Sequence, residues 1–229
     1  MSLEQADEMI SLANKFNKHL MVGHLLQYHP GFVRMKELIQ QDFIGELIHI
    51  NSNRKSLGKI RSEENVIWSF APHDISMILS IASSPIDSVK TISSEIFQQG
   101  ICDLAEINLS FQNGLSANIS CSWINSVKDH SISVYGKKGF LRFDDTKDWK
   151  EKLSFSKYDI KKQNQSFDLN TKDSGFMEVN SKEPLKEECN YFLNLIRGKV
   201  KPRTDGIEGR EVMKVLLETN KATNFYLKK

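Results

Sequence analysis

No two glycines in this 229-residue chain stand two apart; the closest pairs are Gly136 with Gly139 and Gly206 with Gly209. Neither G-x-G-x-x-G nor a Walker loop can be drawn from them, which excludes a nucleotide-phosphate cradle of the usual kind. Cysteine is scarce too: Cys102, Cys121 and Cys189 are odd in number, far apart and never in a C-x-x-C pair. That leaves no disulfide framework and no zinc knuckle, and it fits a reducing cytoplasm. Neither sign of charge is in excess, with 31 basic residues against 29 acidic and a formal net charge of +2. Binding to a phosphate backbone asks for a basic field, so nucleic acid is not an expected partner. No apolar run approaches the ~20 residues of a membrane span, and the start Met1-Ser2-Leu3-Glu4-Gln5-Ala6-Asp7-Glu8 is acidic where a signal peptide is basic and then apolar. The expectation is a soluble cytoplasmic protein, long enough for one large domain or two small ones with a real core.

What is present reads first as helix, then as sheet. Leu3, Ala6, Met9, Ile10, Ala13 and Phe16 repeat with a helical period. The apolar run Leu20 to Gly23 predicts a buried strand that delivers the loop His24 to Pro30. A second helix is predicted from about Phe32 to Gln41, stopped by Gly45, then a strand Leu47 to Asn53 and a polar, basic loop Arg54 to Glu64. From Leu104 the period changes to two. Ile107, Leu109 and Phe111 alternate with polar residues, Asn113-Gly114 makes a turn, and Leu115 to Trp123 alternate again; Ile132 to Tyr135 and Phe140 to Phe143 form a second hairpin. Four or more strands in one meander are expected, with helices on the apolar face. The other face is small and polar, mostly Ser and Asn, and is as consistent with a subunit interface as with a solvated surface. Residues 144–183 read as a peripheral part of the sheet, with strand-like pieces at Leu153 to Tyr158 and Ser166 to Leu169. Two closing helices are predicted as its cover, one with Leu185, Cys189, Phe192, Leu193 and Ile196 on one face, the other from Ile207 to about Phe225 behind an Asp205 cap.

Few residues carry chemistry by themselves. Trp68 to Ile75 is expected to open a helix with Pro72 and His73 in its first turn, where the positive end of the helix dipole keeps imidazole neutral and able to accept a proton. Taken alone, that segment fits a capping histidine better than a catalyst. His24 and His29 lack the spacing and third ligand of a metal site, and no metal is expected. Arg54, Lys55, Lys59 and Arg61 could meet a phosphorylated or carboxylated substrate, though a solvated loop is the simpler reading.

Taken in order, the pieces resemble a family. Ser2-Leu3-Glu4-Gln5-Ala6-Asp7-Glu8-Met9, Leu20 to His24, Tyr28-His29-Pro30, Gly45-Glu46-Leu47-Ile48, Trp68 through Asp74, and Glu208-Gly209-Arg210-Glu211 together resemble the glucose-fructose oxidoreductase, inositol dehydrogenase and rhizopine catabolism family, Gfo/Idh/MocA, over essentially the whole chain. The resemblance implies an α+β fold: a large, predominantly antiparallel open sheet with helices on one face, like the C-terminal domain of glyceraldehyde-3-phosphate dehydrogenase. It further implies that residues 1–30 are the last helix and strand of a Rossmann domain, and that residues 31–229 form the substrate-binding and oligomerisation domain. Family members transfer a hydride between a sugar or cyclitol carbon and NAD or NADP. By that likeness His73 is the catalytic histidine, with Ser69 where many members carry an aspartate. Tyr28, His29 and Pro30 border the nicotinamide, and Arg54, Arg61 and Trp68 lie on the substrate side. The run from Asn53 to Trp68 looks most like members of UDP-N-acetylglucosamine 3-dehydrogenase type, so the expected partner is a sugar or UDP-sugar, in a homodimer or homotetramer formed through the open face. The family's Glu-Lys-Pro motif, which should precede Ser2, and its glycine fingerprint are absent, so no cofactor is expected to be held by these residues alone. The competing reading is a dimerisation or sugar-binding module of the same ancestry, without chemistry.

Overall fold

The computed structural model describes residues 2–164 and 166–223. At its centre lies an eight-stranded open sheet, made of β1 (Leu47–Leu57), β2 (Ile86–Ser94), β3 (Leu104–Phe111), β4 (Ser116–Ser122), β5 (Ile124–Gly136), β6 (Gly139–Asp144), β7 (Leu153–Gln163) and β8 (Ser166–Phe176). Their spatial order is β2-β3-β4-β1-β5-β6-β7-β8. Every neighbouring pair is antiparallel except β1 with β4. Five helices, α1 (Leu3–Lys15), α2 (Pro30–Gln40), α3 (Val66–Ala82), α4 (Pro184–Ile196) and α5 (Gly206–Thr223), and a short 3-10 turn, Leu25–Tyr28, complete it. The α+β class and the mostly antiparallel open sheet are as expected.

Both hairpins form, and Asn113-Gly114 turns between β3 and β4 with Gly114 at φ 85°, a conformation that favours glycine. They do not make an unbroken meander, because β1 inserts between β4 and β5. A strand with Ile50 buried on the helix side is satisfied only by neighbours on both edges, and this one finds them in β4 and β5. β1 also runs four residues past the expected Asn53, so Arg54 is a strand residue and not part of a loop. The run Leu20 to Gly23 is no strand: Met21 makes one isolated bridge to Asp205, and the Val22 N–H donates to the Thr204 carbonyl.

Helix α3 lies across β1, β3 and β4, α2 meets β6, and α5 packs on α3 and β2. The core between them includes Phe32, Met35, Ile50, Ile67, Ile75, Ile78, Ile107, Ile119 and Trp123. Helix α4 is not a cover for the sheet; it packs on the 3-10 turn and leaves Leu185, Leu193 and Ile196 exposed. Helix α5 begins at Gly206 behind Asp205, whose carboxylate accepts from the Glu208 N–H, and the expected end at Phe225 lies outside the described residues. On the open face His49 stands opposite Ser116 and Tyr135, Asn51 opposite Asn118 and Ser133, and Asn53 opposite Ser120 and Ser131. No described helix is long and apolar enough to cross a membrane.

Candidate active site

Helix α3 starts at Val66, where the Asn65 side chain caps it by accepting from the Trp68 N–H. Pro72 and His73 therefore sit two turns inside the helix, not in its first turn, and the dipole argument for His73 fails because that field fades within one turn. His73 is neutral for other reasons. Burial first, then the nearby Arg54 guanidinium, push its pKa down to about 4, against the opposing pull of Asp74. Its Nδ1 is buried with no hydrogen-bond partner. Ser69 lies one turn earlier on the same helical face.

Asp74 points the other way, into the sheet, and is fully buried. It accepts from Arg54 Nε at 2.9 Å and Nη2 at 3.2 Å, and from the Ser52 hydroxyl at 2.5 Å. A fork-on-fork ion pair at this depth compensates both charges. Alternation along β1 explains the arrangement: Ile50, Ser52 and Arg54 share the helix side, so the basic residue expected to reach into solvent is turned under α3 instead. On the same side of the neighbouring strands Arg54 is flanked by Cys121 and His130. Burial, then Arg54 and Lys128, hold His130 near pKa 4, and its Nε2 is a second buried nitrogen without a partner.

The remaining expected residues are placed apart from this cluster or are already engaged. Arg61 is exposed and pairs with Glu64 in the loop after β1. Trp68 donates its indole N–H to Asn220, tying α3 to α5. Tyr28 is buried, with its hydroxyl on Thr204 at 2.7 Å. His29 caps α2, its Nδ1 accepting from the Gly31 N–H, while Nε2 faces Asp145 at 3.3 Å and its ring stacks on Trp149. Against the upward pull of burial, His29 and Lys152 hold Asp145 below the usual carboxylate range. Pro30 is the first residue of α2 and, with Tyr28, Tyr191 and Arg203, lines a cavity of about 250 Å³.

One contact has no counterpart in the sequence reading. His24 Nδ1 lies 2.8 and 3.0 Å from the two carboxylate oxygens of Glu208, and the His24 ring stands edge-on to His73 with centroids 6.1 Å apart. Glu208 also accepts from the Ser76 hydroxyl, which Gln27 holds in turn. A Cβ at Gly209 would lie 2.6 Å from Val22 Cγ2, and one at Gly206 would lie 2.7 Å from Ile10 and Leu20. The two glycines let α5 press flush against α1 and the Leu20 to Val22 segment, which brings Glu208 to His24.

Helix starts can hold anions, and here Ser2, His29 and Asn65 each accept one first-turn N–H of α1, α2 and α3, Asp205 accepts that of Glu208 on α5, and α4 has no side-chain cap. The glycines at the start of α5 are filled from outside by Ile10, Leu20 and Val22. The described residues also hold no group of three or more His, Cys, Asp or Glu that could bind a metal ion.

Residues 32–142 match the family model described as GFO/IDH/MocA C-terminal domain. An uncharacterized oxidoreductase of Bacillus subtilis is 25% identical over 161 residues, covering 64% of this chain and 46% of the relative. The 2,7-anhydro-N-acetylneuraminate hydratase of Mediterraneibacter gnavus is 20% identical over 158 residues, 63% of this chain and 42% of that protein. The matched region thus spans less than half the length of these relatives. Among solved structures, a UDP-N-acetylglucosamine 3-dehydrogenase from Acidithiobacillus ferrooxidans superposes with TM-score 0.79 at 21% identity, covering 100% of this chain and 70% of that one. A Bordetella pertussis dehydrogenase in complex with NADH and UDP-GlcNAcA superposes with TM-score 0.70 at 16% identity, over 97% of this chain and 66% of that one. The fold is shared with these dehydrogenases, and residues 32–142 carry the likeness to the C-terminal domain of the GFO/IDH/MocA oxidoreductases.

Proposed function

We propose that the chain supplies the substrate side of an NAD(P)-dependent oxidoreductase acting on a sugar or nucleotide sugar, with His73 exchanging the proton of the reacting hydroxyl. The observation that carries this reading is the state of His73, a neutral, mostly buried imidazole with an unpartnered Nδ1 beside the Arg54–Asp74 pair. A general base needs to be unprotonated at working pH and within hydrogen-bond reach of its proton, and the first condition is met by desolvation. Ser69, one turn away, serves as a hydrogen-bond partner in place of a carboxylate. Arg54 commits Nε and Nη2 to Asp74, which orients the guanidinium toward the substrate side without leaving its charge uncompensated.

In this reading the nicotinamide is carried by a dinucleotide-binding unit to which residues 1–30 belong, while residues 31–229 bind substrate and form the oligomer. Two observations support the division. Helix α1 has no buried residue and exposes Met9, Leu12 and Phe16, and the Leu20 to Gly23 run has no sheet neighbour among the described residues. Tyr28, His29 and Pro30 then shape the wall next to the cofactor and do not bind it through their own polar atoms. The Ser- and Asn-rich open face of the sheet is the subunit interface, and the protein works in the cytoplasm.

The test is oxidation of UDP-N-acetylglucosamine by the protein that carries this chain, followed as NADH absorbance. His73→Ala should lower turnover by about 10²- to 10⁴-fold. Turnover unchanged in that variant refutes a catalytic His73 and leaves a sugar-binding or dimerisation module. Tight NAD(H) binding by residues 1–229 alone refutes the division between cofactor and substrate units.

A further inference from the structure

The pairing of His24 with Glu208 is used by nothing in the reaction as described above, yet it is among the most fully determined polar contacts in the molecule. His24 is 6% exposed. Both oxygens of Glu208 meet its Nδ1, and a carboxylate only accepts, so Nδ1 carries the hydrogen, and in the neutral ring Nε2 is the accepting nitrogen. Glu208 is fixed by the Ser76 hydroxyl at 2.5 Å, and Ser76 by Gln27 Nε2 at 3.0 Å. Three successive contacts therefore set the plane of the His24 ring. That ring stands at 81° to His73, with centroids 6.1 Å apart, a separation that one water can bridge between ring nitrogens. His73 in turn has a buried nitrogen lacking any partner. Glu208 is less buried than His24, with 19% of its side chain exposed against 7%.

We infer that His24, held by Glu208, is the proton partner of His73, forming a two-histidine relay from the site to the surface. The inference rests on the proposed role of His73. One proton leaves the substrate hydroxyl for His73, passes to His24 and is released past Glu208 to water. Only O–H and N–H bonds form or break on this path; the hydride goes separately to the nicotinamide. The charged and titratable groups facing His73 are Arg54 from β1, Asp74 on α3, His24, and Glu208 from α5; those facing His24 are Glu208, His73 and Glu188 from α4. Burial raises the Glu188 carboxyl, against the opposing pull of His24.

Histidine titrations by nuclear magnetic resonance of the 229-residue chain test the coupling without any need for activity. The His73 curve should show two steps through its coupling to the neighbouring ring. His24→Gln should turn the His73 curve into a single step, and Glu208→Gln should weaken the coupling, with Glu208→Asp restoring part of it and far-UV circular dichroism confirming the fold. A His73 curve identical in wild type, H24Q and E208Q overturns the relay. In the active protein H24Q should lower kcat by about 10²-fold with KM retained, and should shift the pH profile of kcat. Coupled titration with kcat unchanged in H24Q, while H73A inactivates, overturns the relay and leaves the proposed function standing. Turnover that survives H73A overturns the proposed function, and the relay as a catalytic path with it.

Discussion

Arg54→Met should destabilise the domain far more than an ordinary surface substitution, and the reason lies in Asp74. That carboxylate is 0% exposed and has three donors: Arg54 Nε, Arg54 Nη2 and the Ser52 hydroxyl. Removing Arg54 leaves a fully buried charge with one neutral donor, a situation that costs about 3 to 5 kcal/mol. Asp74→Leu alone strands a guanidinium whose side chain is 11% exposed, at a somewhat smaller cost because water reaches part of it. The double variant removes both charges. Ser52 then still donates to the Ser131 carbonyl at 3.3 Å, so no buried polar group is orphaned, and the double variant should lie within about 1 to 2 kcal/mol of wild type. The coupling energy of the cycle should therefore reach at least about 2 kcal/mol, beyond the range of independent sites. Urea unfolding followed by tryptophan fluorescence at pH 7 and constant slope measures all four corners. The same experiment carries a second readout: with Arg54 gone, the pKa of His73 should rise from about 4 toward its ordinary value. Additive costs, or an Arg54→Met loss under about 1 kcal/mol, would refute the view of Arg54 as an electrostatic anchor before it is a substrate ligand.

His73 and His130, both held near pKa 4 against an ordinary 6.5, make the native state lose stability as pH falls from 6.5 toward 4, because only the unfolded chain takes up their protons. Between pH 7 and 5, where most carboxylates remain ionised, His73 should account for about 2 kcal/mol of the loss in urea melts, and His73→Gln should flatten the decline by that amount. Gly209→Ala should destabilise by about 1 kcal/mol in spite of the better helix former, because its Cβ meets Val22 Cγ2 at 2.6 Å; in a Val22→Ala background the same substitution should become stabilising by about 0.5 to 1 kcal/mol.

Alternation made β3 and β4 legible in advance, since Ile107, Leu109, Ala117 and Ile119 all face one covered side. The same rule, extended past Asn53, would have kept Arg54 in β1, but a basic run with no apolar partner carries no strand signal until α3 supplies Asp74 from above. The start of α3 was displaced because Pro72 is a first-turn residue by preference, whereas here it sits in the helix interior and the Asn65 cap decides the boundary. His73 is singled out by its order among the motifs of the resemblance, and the dipole field expected at it is not there. The His24–Glu208 contact spans 184 positions, and no local pattern announces a pair that exists only once α5 has docked. Leu20 to Val22 looked like a strand for its composition, and Thr204 captures it instead through one backbone and one side-chain hydrogen bond.

The placement of β1 has a kinetic consequence. The strand made first occupies the middle of the sheet, and its two neighbours end with Ser122 and Gly136, the latter roughly eighty residues after Leu57. Both hairpins beside it are local and can close on their own, whereas the join between the sheet's halves waits for a segment from far upstream to slot in parallel to one and antiparallel to the other. Long-range pairing of this kind slows folding, because the entropy of closing the intervening chain is lost before any contact compensates it. On a ribosome adding 5 to 20 residues per second, β1 would wait about 3 to 13 seconds for β4 and about 4 to 16 seconds for β5. During that interval its single fully buried apolar position, Ile50, amid Asn51, Ser52, Asn53 and Arg54, gives a waiting strand little to aggregate with. The polar side chains that assemble the site late are also what keep its central strand soluble early.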